Sequence, residues 1–372
     1  MMKSVIVVGA GILGASAAYH LAKSGAKVTI IDRRDKGQAT EAAAGIVCPW
    51  LTQRRNKAWY QLAKNGAKYY PSLIEELEQL GETQTGYKKV GTISLHTDEG
   101  KLDKMEERAK KRLEDAPEIG EITRLSKEEV QSLFPLLSED FSAVHVSGGA
   151  RVNGRALRDS LIEAAKKHGA EFVEAEAQLI ARGNRVIGVS CCGEERLSDQ
   201  VIVTAGAWAK ELFKPLGVTL KIEPQKAQIV HLDVQNEDTE SWPVVMPPNN
   251  QYLLAFEDGR IVAGATHEDE MGYDMRPTVG GLHDIFDKAL HIAPHLNDST
   301  FLEVKVGFRP VAPNFLPIIG PLPSWEGILL ANGLGASGLT VGPYLGGELA
   351  KLSLEIPTEI DLELYDVEGA IE

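Results

Sequence analysis

The sequence predicts an α/β protein in which a second, mostly antiparallel sheet is inserted into a doubly wound parallel sheet. Three observations lead there. The chain opens with a strand, a glycine-rich turn, a helix and a second strand, which is a βαβ unit. Its middle, 220–306, changes to alternating strands broken by turn residues. From residue 327 it returns to an apolar strand, a second glycine-rich loop and a helix, so the first part is left and then re-entered.

The elements follow in order. Ser4–Val8 reads SVIVV, apolar and β-branched, the mark of a strand buried on both faces. A helix over 13–24 carries Ala15, Ala17 and Ala18, which permit close packing, and Gly25 stops it. Lys27–Asp32 is the second strand, VTII running on into an acid. Charged helical stretches fill 58–80 and 101–114. Asn153 caps a further helix whose Leu157, Leu161 and Ala164 share one face, and Gly169 ends it. The segments EFVEA, AQLIARGNRVIGVSCC and QVIVTAGAW then read as strands. So do QIVHLDV, QYLLAF, RIVAGAT and FLEVKVGF in the middle region, where Asp258-Gly259 marks a hairpin turn. GILLAN is the returning strand, and a helix over 341–354 stands behind its loop.

Composition bounds the function. At 372 residues the chain exceeds one ordinary core, and 43% hydrophobic with 25% charged residues is a globular composition. No apolar run is long enough to cross a bilayer, and MMKSVIVVGAG enters a strand without a signal-peptide pattern, so a cytoplasmic enzyme is expected. A net charge of -14 repels phosphate backbones and excludes nucleic acid as a partner. Cys48, Cys191 and Cys192 show neither metal spacing nor a disulfide framework, and Cys191 and Cys192 read as structural. His267, Glu268 and Asp269 lack tetrahedral ligand spacing and read as a solvated strand end, so no metal is expected. His20 reads as structural.

The strongest motif is GAGILG, placed directly after a strand and at the mouth of a helix. Gly9 permits the tight turn, Gly11 lets the backbone approach a pyrophosphate, and Gly14 lets helix and strand pack closely. Ile12 and Leu13 open a helix whose free N–H groups and positive dipole meet the phosphates. Asp32 ends the second strand at the spacing of the acid that accepts hydrogen bonds from ribose hydroxyls. Arg33 and Arg34 follow and hint at a 2′-phosphate, a reading that Asp32 weakens. A Rossmann-like dinucleotide domain is the result; the fingerprint alone does not separate NAD from FAD.

The rest of the chain resembles one family. ATEAAAGIVCPW is similar to the flavin-contacting loop of the D-amino-acid oxidase and glycine oxidase family, FAD-dependent amine and amino-acid oxidoreductases. QVIVTAGAW resembles that family's late strand, and GFRPVAPNFLPIIGP followed by GILLANGLGASGLTVGPYLGGELA resembles its C-terminal signature. The resemblance implies non-covalent FAD, since no cysteine lies beyond Cys192 to attach it. It implies contacts from Ala39 and Thr40 near the phosphates, Gln178 on the adenine side, and Ala205 and Gly206 along the dinucleotide. Ala44, Gly45 and Ile46 would border the isoalloxazine, as would Leu334, Gly335, Ala336, Ser337, Gly338, Leu339 and Thr340. The segment GLGASGLTVGP reads as too glycine-rich to pack well, yet it stands before a helix. There its backbone donors suit the negative charge of a reduced flavin. The expected division is 1–88, 148–218 and 305–372 for the FAD-binding domain, with 89–147 and 219–304 for the substrate-binding domain.

On the substrate side the resemblance assigns Arg309, in GFRP, to the substrate carboxylate, with Tyr252 sharing it. A planar guanidinium binds both oxygens and fixes orientation. Cys48, Trp50 and Leu51 follow the flavin loop and are placed at the substrate entrance, Cys48 as a packing residue. The chain departs from glycine oxidase at Ala336, where that enzyme has a second arginine, at Asn250 in place of a histidine, and at Lys226-Ala227-Gln228. The expected reaction is oxidation of a small amine or amino acid by hydride transfer from the α-carbon to flavin N5, giving an imine that water hydrolyses. Oxygen or another electron acceptor would complete the cycle. Alternatives within the class are a D-amino-acid dehydrogenase and an oxidase of an N-substituted amino acid such as sarcosine. Outside it stand an NAD-dependent dehydrogenase and a non-catalytic flavoprotein.

Overall fold

The computed structural model describes residues 2–235 and 237–372. Ser4–Val8 is buried past its first residue because strands flank it on both sides, Lys27–Asp32 and Gln200–Val203, each parallel to it. Glu171–Glu174 extends this sheet on one side and Ile328–Asn332 on the other. The antiparallel strand Ile318–Pro321 closes the edge of six strands. VTII, QVIV and ILLAN are continuous apolar runs because the sheet is covered on both faces.

The fingerprint helix, Ile12–Lys23, packs between Gly154–Lys167 and Gly338–Ser353. Ala15, Ala17 and Ala18 are fully buried there, and Gly25 follows the helix with a φ of 85°. One expectation is corrected here. The last helix begins at Gly338 rather than at 341; Gly338 has open space beside it, as a loosely packed segment would, but Gly342 and Gly346 form the contact with the fingerprint helix. A Cβ on Gly346 would lie 2.6 Å from the Cβ of Ser16, whose hydroxyl donates to the Pro343 carbonyl at 2.6 Å. Small residues on both helices bring the two axes close, and neither helix tolerates bulk there.

The second sheet has eight strands, in the order Thr300–Val311, Glu223–Asp233, Arg260–Gly264, Tyr252–Ala255, Val244–Met246, Thr92–His96, Ser142–Val146 and Ile122–Leu125. Its pairs are antiparallel except Val244–Met246 with Thr92–His96. Asp258 and Gly259 both take left-handed φ values in the hairpin turn, as an Asp-Gly pair permits. The strand Thr300–Val311 runs unbroken across position 305. The helix Val279–Ile292, absent from the sequence reading, covers one face of this sheet with Ile285, Ala289 and Ile292. Thr278 caps it, accepting from the Gly281 amide. The opposite face carries Ile229, Leu254 and Val262 and meets Ala44 and Ile46 of the nucleotide part.

His231 is 6% exposed, and neither ring nitrogen has a hydrogen-bond partner among the described residues. Burial, reinforced by Lys305, lowers its pKa to about 4 against the opposing pull of Glu303; Arg260 and Arg155 add to the lowering. Below the ordinary histidine pKa of about 6.5 the unfolded chain takes up a proton that the folded one refuses until about 4. Stability from this group is therefore present above that range and declines as pH falls through it. His231→Leu removes both the unsatisfied nitrogens and the titration. It is expected to stabilise the protein by about 1 kcal/mol near pH 7.5 and by more near pH 5, read as the shift in melting temperature. An equal shift at both pH values would contradict this account.

Candidate active site and cofactor cleft

A cavity of about 760 Å³ lies where the carboxyl ends of the parallel strands meet the second sheet. Of the residues expected to hold the cofactor or substrate, all but one line it, including Arg309 and Tyr252. The exception is Gly14, which is packed beneath the wall. A Cβ there would lie 1.9 Å from the Gly9 carbonyl oxygen and 2.4 Å from the Thr204 hydroxyl, so Gly14 serves the helix–strand contact and not the cavity.

The fingerprint turn is locked from below. Gly9, at φ 102°, donates to the Ile31 carbonyl at 2.9 Å, while Thr204 donates to the Gly9 carbonyl at 2.7 Å. Ile12 donates its amide to the Thr40 hydroxyl at 3.0 Å. Gly11 caps the helix without any side-chain bond, and a Cβ added to it meets only the Thr40 hydroxyl, at 3.5 Å. What that Cβ would fill is the cavity. Asp32 accepts from the Ala10 amide at 2.6 Å, the Arg34 amide at 2.6 Å and the Gln38 side chain at 2.8 Å. A carboxylate has about four acceptor sites, so capacity remains on the side that faces the cavity. Arg33 is paired with Asp35 and Glu176; Arg34 lies over the Phe172 ring and beside Glu174. Neither guanidinium is free for a 2′-phosphate.

At the other end, Thr340 donates to the Ile46 carbonyl at 2.9 Å and joins the two expected flavin loops. Trp59 donates from its indole N–H to the Ser337 hydroxyl at 2.8 Å. The helix from Gly338 starts without a side-chain cap, leaving its first amides for another acceptor.

Arg309 stands on the strand Thr300–Val311 opposite Gln225, to whose side-chain oxygen it donates at 3.3 Å; a second bond, also 3.3 Å, goes to the Thr266 carbonyl. Burial lowers its pKa, and among the described residues only Tyr252 acts to raise it and no carboxylate does. Burial pushes Tyr252 up to about 12, against the pull of Arg309, so the phenol keeps its proton and remains a donor. A lone guanidinium beside a phenol is a socket for a carboxylate. His267 lines the same cavity, its pKa lowered by burial and then by Arg309.

Several neighbouring expectations are adjusted. Glu268 is not wholly solvated: it accepts from Thr266 at 2.6 Å and from Gln228 at 2.7 Å. Lys226 is fully buried with its ammonium on the Arg276 carbonyl, Asp274 and Glu268, so of Lys226-Ala227-Gln228 only Ala227 reaches the cavity. Cys48 lines the cavity, and burial raises its thiol to about 11. Trp50 is core, 1% exposed, and not part of the entrance. Cys191 is buried, but Cys192 is exposed in a turn at φ 54°. Gln38, Trp59, Met246 and His267 also line the cavity, and none carries a local sequence signal that would have singled it out for this role.

A cleft with a nucleotide fingerprint at one end and an unpaired arginine at the other suits an oxidoreductase holding cofactor and substrate in one space. The open cradle at Gly11, the spare acceptor on Asp32 and the uncapped helix at Gly338 all fit a dinucleotide with an anionic ring system. The chain belongs to the DAO family, FAD dependent oxidoreductases, whose model matches residues 4–352. It is an FAD-dependent enzyme. It is 60% identical over 371 residues, the whole of both chains, to the uncharacterized oxidoreductase YurR of Bacillus subtilis. It is 32% identical to glycine oxidase of Pseudomonas aeruginosa, with 92% of each chain covered. The crystal structure of iminodiacetate oxidase (IdaA) from Chelativorans sp. BNC1 superposes with a TM-score of 0.95 at 46% identity, covering 98% of each chain. No helix among the described residues is long and apolar enough to cross a membrane.

Proposed function

We propose that this enzyme oxidises a small amine that carries a carboxylate, and that Arg309 and Tyr252 bind that carboxylate. The observation behind this is the Arg309 guanidinium, set in the cavity wall with no carboxylate of its own. Gly9, Gly11, Ile12, Leu13, Asp32, Thr40, Gln178 and Ala205 would hold the nucleotide portion of FAD, and Ala44 to Ile46 with Leu334 to Thr340 its ring. Bound there, FAD supplies a two-electron acceptor for the hydride that leaves the α-carbon of the neutral amine. The chain orients the substrate: Gln225 and the Thr266 carbonyl hold Arg309 in place, and its fork fixes the carboxylate. Loss of a hydride from the α-carbon draws on the amine lone pair, so the deprotonated amine is the reactive form. The product imine is hydrolysed by water.

Glycine oxidation is one form of this reading, supported by the 32% relative. A secondary, N-substituted amino acid is the other, supported by the iminodiacetate oxidase likeness and by Ala336, which adds no second cation to the C-terminal loop. Anaerobic titration of the yellow protein with glycine, sarcosine, D-alanine, proline and iminodiacetate separates them. Bleaching of the flavin by one of these amines is the expected result, and recovery in air makes oxygen the acceptor. A flavin that none of them bleaches would sink the reading.

A further inference from the structure

Beside the cavity, next to two of its lining residues, stands a second arginine with no carboxylate partner among the described residues. Thr52 and Trp59 line the cavity, and Arg54, between them in sequence, lays its guanidinium over the Trp59 ring, 4.5 Å from the centroid. The same Trp59 is bonded to Ser337, so Arg54 sits one ring away from the turn that contains Ala336. Among the described residues its guanidinium makes one hydrogen bond, to the Phe315 carbonyl, leaving most of its five donors unused. Burial alone lowers its pKa; no carboxylate bears on it, in a chain of net charge -14.

The loop that carries Arg54 is itself held by cations. Arg112 donates to the Trp50 and Thr52 carbonyls, and Arg108 to the Leu51 carbonyl at 3.3 Å. Three arginines therefore gather on this loop, with Asp115 acting on Arg112. The other two are spent on backbone carbonyls. Stacking on Trp59 holds Arg54 in a fixed plane, which favours bidentate capture of a carboxylate.

We propose that Arg54 is a specificity residue which binds a second carboxylate, so that with Arg309 it selects amines bearing two carboxylates over those bearing one. This rests on the reading of Arg309 above, and it moves the substrate class from glycine to a dicarboxylic amine. Arg54 recognises the far end of the substrate and takes no part in the oxidation.

The test is calorimetric titration of the FAD-loaded enzyme with oxydiacetate and with methoxyacetate. These ethers carry two carboxylates and one, and neither has an amine to oxidise. The wild type is expected to bind oxydiacetate about tenfold or more tighter than methoxyacetate. Arg54→Met is expected to shrink that preference to about twofold with the loss falling on oxydiacetate, and Arg54→Lys to restore part of it. Flavin absorbance of each variant reports an intact fold. A preference that survives in Arg54→Met, or a wild type with none, overturns the proposal. Because neither ligand is oxidised, failure of the amine titration would remove the proposed reaction and leave this binding result standing on its own.

Discussion

Arg309→Met is expected to lower kcat/KM for the amine substrate by about 30-fold or more while the purified protein stays yellow. Removing one member of a desolvated, hydrogen-bonded charge pair costs about 2–5 kcal/mol, and each 1.4 kcal/mol is tenfold. Arg309 is half-buried in the cavity wall, and that burial lowers its pKa, so a carboxylate arriving there meets a cation that water screens less than at the open surface. Gln225 and the Thr266 carbonyl both accept from Nη1, which leaves the edge formed by Nε and Nη2 for the ligand. Arg309→Lys should do less harm and do it mostly in KM: an ammonium keeps the charge but loses the two-point geometry. Tyr252→Phe should cost about tenfold, the low end for one hydrogen bond to a charged group. Steady-state kinetics of the three variants, with flavin content measured alongside, check the order. Unchanged kinetics in Arg309→Met would remove Arg309 from the substrate site altogether.

The parts of this molecule legible in its sequence are those whose causes are local. SVIVV, GAGILG and KVTIID declare a parallel strand, a turn and a second strand because each glycine and each apolar run is explained within its own neighbourhood. The hairpin turn at Asp258 and Gly259 is local in the same way. What stayed hidden depends on partners far along the chain. The helix Val279–Ile292 starts VGG, poor helix chemistry, and is held by the Thr278 cap and by burying three residues on the second sheet. The glycines of the last helix read as looseness until Ser16 and Ile12 are seen against them. Trp50 and Trp59 are both buried in one core cluster, yet only Trp59 also lines the cavity, a difference made by elements distant in sequence. His267 and Gln225 reach the Arg309 neighbourhood only through strand pairing, so no motif could have named them.

Gly14 and Gly11, three residues apart in one motif, should fail in opposite ways when given a methyl group. In Gly14→Ala the new Cβ would fall 1.9 Å from the Gly9 oxygen and 2.4 Å from the Thr204 hydroxyl. Thr204 holds that same oxygen at 2.7 Å, so the turn cannot yield without breaking its own lock. Overpacking against backbone costs about 1–3 kcal/mol and sometimes more, and the upper end is expected here, as a lower melting temperature with or without FAD. In Gly11→Ala the backbone, at φ -63°, accepts any residue, and the Cβ meets nothing of the protein nearer than 3.5 Å. The FAD-free protein should therefore lose about 1 kcal/mol or less, as for a changed helix cap, while the methyl occupies cavity space that the pyrophosphate needs. Its affinity for FAD, followed by quenching of flavin fluorescence, should fall about tenfold or more. Equal destabilisation of the two FAD-free variants would mean that Gly11 serves packing after all. Full FAD affinity in Gly11→Ala would mean that the dinucleotide does not cross the helix N-terminus as proposed above.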